Sequence, residues 1–374
     1  MLNRVFLYLL VSCWINQGFS QDHDSTWNKL QPYFICPPSF AGNVGTYRSP
    51  LKFYDGQEAK TPGDWKKRRK EILKRWQDML GHWPALISRP EKEVLDSVHR
   101  ENFMQYRVKF EWRKGETTEA YLLVPDQPGI KPAVITVFYE PETAIGLRKP
   151  YMDFALRLAR RGFISLSFGA PPSTEKKPYG QYYPNPNDAK VQPLSMLGYL
   201  AANAWNFLSE WPGVDSSRIG ITGHSYGGKW AMFASCLYEK FACAAWSDGG
   251  IVFDESRPNV NYQDPWYLGY YPPPWPDSNN YDKGLYPHLI KEGYDLHELH
   301  ALMAPRPFLV SGGSEDPTGR WIPLNHSVAV NKLLGYENRV GMTNRKEHTP
   351  DEGSNEILCL FFEHFLKKTI SSSK

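Results

Sequence analysis

The segment Gly223-His224-Ser225-Tyr226-Gly227 decides the fold, because it places a serine at the centre of the pattern G-x-S-x-G. An apolar run at 219–222 comes directly before it and predicts a buried strand, and an apolar helical pattern follows through 232–237. A sharp turn between strand and helix lifts such a serine above the edge of a sheet, and the flanking glycines let the turn close. A purely structural glycine turn would not explain a serine at its apex. The segment therefore predicts that Ser225 is a nucleophile on an α/β protein.

Strand and helix patterns alternate along the chain on both sides of this segment. An antiparallel hairpin is predicted at 106–112 and 120–124, followed by strands at 133–138, 163–168, 219–222, 242–246, 307–310 and 339–342 and a closing helix at 357–366. That alternation is typical of a mostly parallel sheet covered by helices on both faces. The fold class is therefore α/β, with the three-layer αβα sandwich of the α/β-hydrolase fold.

The N-terminal part divides into a leader and an extension. Arg4, the apolar stretch at 5–11 and the small residue Ser20 predict a signal peptide over 1–20, and the chain is then secreted or periplasmic. A lipid anchor on Cys13, in a sequence that resembles a bacterial lipobox, is the alternative. Residues 21–100 form an extension with one packed helix, and residues 101–374 form the catalytic domain with an aromatic insertion at about 252–297.

Composition excludes several classes of protein. A formal net charge of +3 gives no reason to expect a nucleic-acid partner, and no internal stretch approaches the roughly 20 apolar residues of a transmembrane span. The cysteines beyond the leader lack metal-ligand spacing and are expected to be free thiols, mostly buried: Cys36, Cys236, Cys243 and Cys359. We expect no metal and no cofactor, and the sequence leaves the oligomeric state open.

A serine hydroxyl needs a base, and the triad order on this fold is serine, acid, histidine. His348 lies in a polar loop between the last predicted strand and the closing helix, which is where this fold carries its histidine. Two carboxylates compete to orient it, Asp248 after the sixth strand and Asp316 after the seventh. The unused one would be a loop-capping carboxylate, and the sequence leaves the choice open.

Residues around the serine supply candidates for binding. The backbone N–H of Tyr226 and a second donor from the loop at Tyr139 and Glu140 are expected to form an oxyanion hole. Lys229, one helical turn past the serine, is a candidate substrate-binding residue, with a solvated helix lysine as the alternative. In the aromatic insertion the candidates are Trp266 and Tyr267, since aromatic residues suit a sugar-binding cleft.

These motifs resemble the glucuronoyl esterase family, carbohydrate esterase family fifteen, whose elbow reads G-C-S-R-x-G-K. This chain has Gly223 to Lys229 at that place, then Asp248-Gly249-Gly250, and a stretch from Asp295 to Pro307 that is close to the family's sequence before strand seven. The resemblance spans roughly residues 65–366. The family's arginine after the nucleophile, which supports the oxyanion, is Tyr226 here.

The resemblance implies roles for individual residues. Ser225 would be the nucleophile and His348 the base, with Asp248 as the usual acid and Asp316 as the alternative acid of some bacterial members. Lys229 would contact sugar hydroxyls. The partner would then be a carbohydrate ester, either a uronate ester or an acetyl ester. A secreted peptidase or lipase-like hydrolase, and a non-catalytic glycan-binding protein, are the competing hypotheses.

Overall fold

The computed structural model describes residues 25–171, 180–257, 262–272 and 283–367. The predicted signal peptide at 1–20 and the alternative lipid anchor at Cys13 lie outside the described residues, as do parts of the aromatic insertion. Among the described residues, no helix is long and apolar enough to cross a membrane.

A nine-stranded sheet forms the centre of the molecule, with the order β1-β2-β3-β5-β4-β6-β7-β8-β9. The first three strands and the β3–β5 pair are antiparallel, and all later pairs are parallel. The strands are β1 (Lys92–Arg100), β2 (Phe103–Arg113), β3 (Glu116–Pro125), β4 (Lys131–Phe138), β5 (Ile164–Gly169), β6 (Val214–His224), β7 (Cys243–Ser247), β8 (Phe308–Gly312) and β9 (Val340–Asn344).

Nine α-helices with defined bounds lie along the described chain after a short helical segment at 25–34. They are α1 (Pro62–Leu80), α2 (Pro141–Ala144), α3 (Phe154–Arg160), α4 (Pro193–Ser209), α5 (Tyr226–Leu237), α6 (Leu285–Lys291), α7 (His297–Ala301), α8 (Trp321–Leu333) and α9 (Glu352–Leu366).

The sheet is covered on both faces because successive side chains of its central strands belong to two different apolar cores, one on each face. On β4, Ile135 and Val137 belong to the core shared with α4 and α5, whereas Val134 and Phe138 belong to the core shared with α3 and α9. Since successive side chains of a strand point to opposite faces, a strand buried on both faces is apolar along most of its length. The predicted α/β-hydrolase architecture is confirmed.

The N-terminal extension is packed against the main body through α1. Thr61 and Asp64 form a capping box at the start of this helix. Trp76 is fully buried, and the guanidinium of Arg68, also buried, lies 3.4 Å from the Glu298 carboxylate of α7. The helix is therefore anchored by apolar burial and by an ion pair that would be costly to break.

Strand β1 precedes the predicted start of the catalytic domain at residue 101. It lies at 92–100, inside the segment 21–100 assigned to the extension, and pairs with β2 along its whole length. Most of its residues are exposed, so it lacks the alternation of apolar and polar residues that identifies a half-buried strand. The sheet therefore begins at Lys92 and not after residue 100.

Candidate active site

Ser225 occupies a strained turn between β6 and α5. Its backbone has φ 58° and ψ −115°, outside the regions that a serine ordinarily adopts, and its N–H donates to the Ser247 carbonyl at 2.8 Å. Glycine is required on both sides of it. A Cβ at Gly223 would lie 2.4 Å from the Gly227 carbonyl oxygen, and one at Gly227 would lie 2.0 Å from the Val137 oxygen. This turn presents the serine at the carboxyl edge of the sheet.

Three side chains from separate loops form a continuous hydrogen-bonded relay. Ser225 Oγ lies 2.9 Å from His348 Nε2, and His348 Nδ1 lies 2.7 Å from Asp248 Oδ2. A carboxylate only accepts hydrogen bonds, so Nδ1 carries the proton and Nε2 accepts from the serine hydroxyl. The arrangement can take the proton of Ser225 and stabilise the resulting imidazolium.

Asp248 is buried and fixed by backbone donors of the loop that follows β8. Its Oδ1 accepts N–H groups of Gly313 at 2.7 Å and Asp316 at 2.9 Å. Burial alone would raise the pKa of Asp248, but the hydrogen bond with His348 and the Arg345 guanidinium outweigh it and hold that pKa below the usual aspartate value. Asp248 therefore faces the imidazole as a carboxylate.

Asp316, the other candidate acid, has different partners. Its two carboxylate oxygens accept the N–H groups of Gly250 at 2.9 Å and Ile251 at 2.7 Å. Burial and the neighbouring Asp248 charge raise the pKa of Asp316 above the usual value, against the opposing effect of Arg320. Its hydrogen bonds within the described chain hold the loop after β7 and do not reach His348.

Arg345 ties the histidine loop to the sheet, and sequence reasoning missed it. Its guanidinium is almost fully buried and donates to four carbonyl oxygens, those of Ser311, Gly312, His348 and Thr349, at 2.5 to 3.2 Å. A planar group with five donors can join several carbonyls at once. Arg345 thus sets where the loop carrying His348 lies relative to β8.

His224, within the elbow, is a second histidine beside the relay. Its ring centroid lies 4.6 Å from that of His348, and its Nδ1 is 3.1 Å from Ser247 Oγ. Burial, assisted by the adjacent His348, lowers the pKa of His224 to about 3. The side chain is therefore neutral at physiological pH and adds no charge beside His348.

The candidate oxyanion residues meet at the mouth of the site. Tyr226 is the first residue of α5, where N–H groups have no partner within the helix. The Tyr139 ring stacks on the Tyr226 ring at 4.9 Å and is 61% exposed. Together with Glu140 it borders a cleft of about 260 Å³, lined also by Phe138, Thr143, Lys149, Met152, His224, Ser225, His348 and Thr349.

Lys229 is buried, so the alternative of a solvated helix lysine is wrong. Its ammonium donates to the Gly249 carbonyl and lies 4.5 Å from the Tyr262 ring centroid and 5.5 Å from that of Tyr267. Burial lowers the pKa of Lys229 to about 8. Trp266, by contrast, is 42% exposed and packs edge-on against Tyr267. Contact of these three residues with a substrate stays a prediction.

The described residues contain no group of three or more histidine, cysteine, aspartate or glutamate side chains that could hold a metal ion. Four cysteines of the described chain are free thiols, and three are buried: Cys236, Cys243 and Cys359.

Comparisons with known proteins identify the fold. No protein-family model matches the chain, and no curated protein matches it. A glucuronoyl esterase from Solibacter usitatus superimposes with a TM-score of 0.69 at 17% identity, covering 87% of this chain and 99% of that one. A glucuronoyl esterase from Caldicellulosiruptor kristjansonii gives 0.62 at 21% identity, covering 91% and 97%. A promiscuous esterase of the same family from a marine bacterial metagenome gives 0.67 at 16%, covering 87% and 98%. The chain thus has the α/β-hydrolase fold in the form seen in solved glucuronoyl esterases.

Proposed function

We propose that the chain is a serine esterase that cleaves carbohydrate esters. One observation carries the proposal: the uninterrupted hydrogen-bonded relay from Ser225 through His348 to Asp248, with distances of 2.9 and 2.7 Å. A non-catalytic glycan-binding protein has no use for a strained serine aligned with a base.

The relay suggests an acyl-transfer mechanism in two stages. Ser225 Oγ attacks the ester carbonyl carbon while its proton passes to His348 Nε2, and Asp248 stabilises the imidazolium. The carbonyl oxygen becomes an oxyanion next to the Tyr226 N–H. His348 then gives the proton to the departing alcohol, and the acyl group remains bound to Ser225 Oγ. Water then attacks the acyl carbonyl carbon while the same imidazole takes its proton, and His348 returns that proton to Ser225 Oγ as the Oγ–C bond breaks, which releases the acid and restores the serine.

The side chain of Tyr226 restricts how the oxyanion is stabilised. It is a buried tyrosine stacked on Tyr139, and burial raises its pKa well above the usual value, so it is uncharged. In this chain the oxyanion would rely on backbone N–H groups, from Tyr226 and from Tyr139 or Glu140, without a guanidinium. We expect the esterase to accept simple acyl groups as well as uronate esters.

The names of structural neighbours support a sugar-linked ester as substrate. Several are glucuronoyl esterases, and a candidate acetyl xylan esterase from Bacteroides fragilis superimposes with a TM-score of 0.56 at 15% identity. Two exposed aromatic rings offer flat surfaces of the kind that pack against sugar rings: Tyr139, which lines the cleft at Ser225, and Trp266, which packs against Tyr267. A uronate ester and an acetyl ester both fit this proposal.

Export of the chain is a separate proposal that rests on residues 1–20. The intact mass of the protein from an exporting host tests it: cleavage after Ser20 and lipidation at Cys13 give different masses. A mass that still includes residues 1–20 would contradict both.

The function is tested with Ser225→Ala on four ester and amide classes: a methyl uronate ester, an acetylated oligosaccharide, a triglyceride and a peptide. Turnover of the sugar esters should fall by several orders of magnitude while folding is retained. Ser216→Ala, an exposed serine of β6, is the matched control and should keep full activity. Retained hydrolysis in Ser225→Ala would overturn the nucleophile, and activity on the triglyceride or the peptide alone would overturn the substrate class.

A further inference from the structure

A second hollow adjoins the catalytic cleft. The cleft at Ser225 has a volume of about 260 Å³, below the roughly 300–1,000 Å³ of sites that enclose a small molecule. The neighbouring hollow has a volume of about 430 Å³ and shares Tyr139 and Glu140 with the cleft as wall residues. A substrate longer than one sugar unit that leaves the cleft past Tyr139 would enter it.

This hollow, which we call the hairpin groove, lies over one face of β2 and β3. Its floor includes Lys109 of β2 together with Thr117 and Tyr121 of β3. Its end nearest the cleft is formed by Glu140 and Glu142. Because β3 runs antiparallel to β5, the first residues of β3 lie at the same sheet edge as the elbow.

The polar groups of the hairpin groove differ in whether they already have partners. Arg107 is paired with Glu119 at 3.0 Å and Asp96 at 3.4 Å. Lys109 and Glu142 form no ion pair with any residue of the described ranges. Within those ranges, one donor group and one acceptor group therefore remain without an ion-pair partner, beside the Tyr121 ring and the Thr117 hydroxyl.

The charge of the lining points to a neutral ligand. Two basic side chains, Arg107 and Lys109, face three acidic ones, Glu119, Glu140 and Glu142, so an anionic polymer gains no net attraction. Hydroxyl groups of a neutral sugar both donate and accept, and can satisfy an ammonium, a carboxylate and a threonine together. Tyr121 and Tyr139 add ring faces for packing.

We propose that the hairpin groove binds the neutral sugar units adjoining the esterified unit of an oligosaccharide substrate, with Lys109 and Thr117 as binding residues. This inference rests on the proposed function and adds a direction to it. The sugar chain leaves the cleft past the shared wall residues Tyr139 and Glu140 and runs over β3.

Steady-state kinetics on two substrates test the groove, a methyl uronate ester as the free monosaccharide and the same ester carried on a neutral oligosaccharide. Thr117→Trp fills the groove from an exposed strand position and should lower kcat/KM for the oligosaccharide ester about tenfold, mainly through KM. Lys109→Gln should lower it about threefold to tenfold. Neither variant should change kcat/KM for the monosaccharide ester.

Two matched variants control for bulk and for charge. Val98→Trp places the same side chain at an exposed position of β1 outside the groove, and Lys66→Gln removes an exposed lysine of α1, which packs on the opposite face of the sheet. Both should leave both substrates unaffected. Equal kcat/KM for the two substrates in the parent enzyme would overturn the proposal that the hairpin groove binds sugar. Equal losses in kcat/KM on both substrates in Thr117→Trp would overturn it as well.

Binding without turnover separates this inference from the proposed function. Calorimetry of the Ser225→Ala protein with the unesterified neutral oligosaccharide should detect binding. Adding Thr117→Trp to this protein should abolish the binding, and adding Val98→Trp should leave it unchanged. An enzyme that hydrolyses monosaccharide esters but does not bind the oligosaccharide contradicts the groove alone. A protein that binds the oligosaccharide but hydrolyses no sugar ester contradicts the proposed esterase alone.

Discussion

The loops after β7 and β8 each carry a buried aspartate close to the strand end, yet the two carboxylates have opposite surroundings. Asp248, after β7, contacts His348 Nδ1 at 2.7 Å, and Asp316, after β8, accepts two backbone N–H groups of the loop after β7. The Asp316 N–H in turn donates to Asp248 at 2.9 Å. One carboxylate faces the imidazole, and the other holds the loop that presents the first.

This difference shows that the place of an acid at a strand end does not determine its role. Both aspartates follow strands at the carboxyl edge of the sheet, which is where this fold draws its acid. The two aspartates differ in their hydrogen-bond partners, and their pKa values shift in opposite directions. Burial would raise the pKa of Asp248, but the hydrogen bond with His348 is the chief cause that lowers it, whereas burial raises the pKa of Asp316.

The largest expected effect is that of Asp248→Asn. An amide at this position cannot stabilise the imidazolium and favours the wrong tautomer of His348, so kcat should fall about 10⁴-fold. Steady-state assays on the preferred sugar ester measure the loss in kcat, and circular dichroism verifies folding. A loss of less than about tenfold would mean that another group orients His348.

A smaller loss is expected for Arg345→Lys. Lysine keeps the positive charge but lacks the planar fork of five donors with which Arg345 joins four carbonyls, so the histidine loop shifts relative to Asp248. Displacements of this kind cost about 10²-fold, and the loss should appear in kcat with little change in KM. If KM rose and kcat stayed constant, Arg345 would act on substrate binding instead.

Asp316→Asn should affect stability more than turnover. The amide retains one acceptor for Gly250 or Ile251 and turns donors toward the other N–H, which costs about 1–3 kcal/mol of unfolding free energy. We expect kcat to stay within about tenfold of the parent value, because Asp248 keeps its contact with His348. A loss in kcat as large as that of Asp248→Asn would make Asp316 the orienting acid.

The last expected effect is on the pH dependence of stability and concerns a third carboxyl that holds the loop after β7. Asp295 accepts the Phe253 N–H at 3.0 Å, and burial raises the pKa of Asp295 to about 7. The folded state therefore keeps this proton up to a higher pH than the unfolded state, whose pKa is about 3.9, so stability falls as pH rises between the two values.

Asp295→Asn cannot ionise and should remove this pH dependence. Denaturation at about pH 5 and about pH 8 should show the variant gaining about 2 kcal/mol relative to the parent at the higher pH. Parallel stability curves for the two proteins would show that Asp295 is already ionised in the folded state.

Much of the fold and part of the candidate site could be predicted from the sequence, because their signals are local. The elbow at Ser225 combines a motif with a strand before it and a helix after it, and His348 sits between the last strand and the closing helix. The charged edge strand β1 was missed, since its exposed residues show no apolar periodicity.

The remaining features depend on contacts between distant segments. Asp248 and Asp316 have the same local setting, so only the folded chain separates them. Arg345 acts on backbone carbonyls, which carry no sequence signal, and Lys229 is buried by Tyr262 and Tyr267, more than thirty residues away in the chain. The burial and the partners of both cations, Arg345 and Lys229, are therefore determined by tertiary packing.

Covalent labelling of the serine tests the central claim most directly. Incubation with an alkyl fluorophosphonate, followed by intact and peptide mass spectrometry, should add one phosphonyl group, on the peptide containing Ser225. Asp248→Asn should label far more slowly than Asp316→Asn, because only the first loses the group that orients His348. An unmodified Ser225, a label on another serine, or equal slowing in the two variants would contradict the relay proposed for this chain.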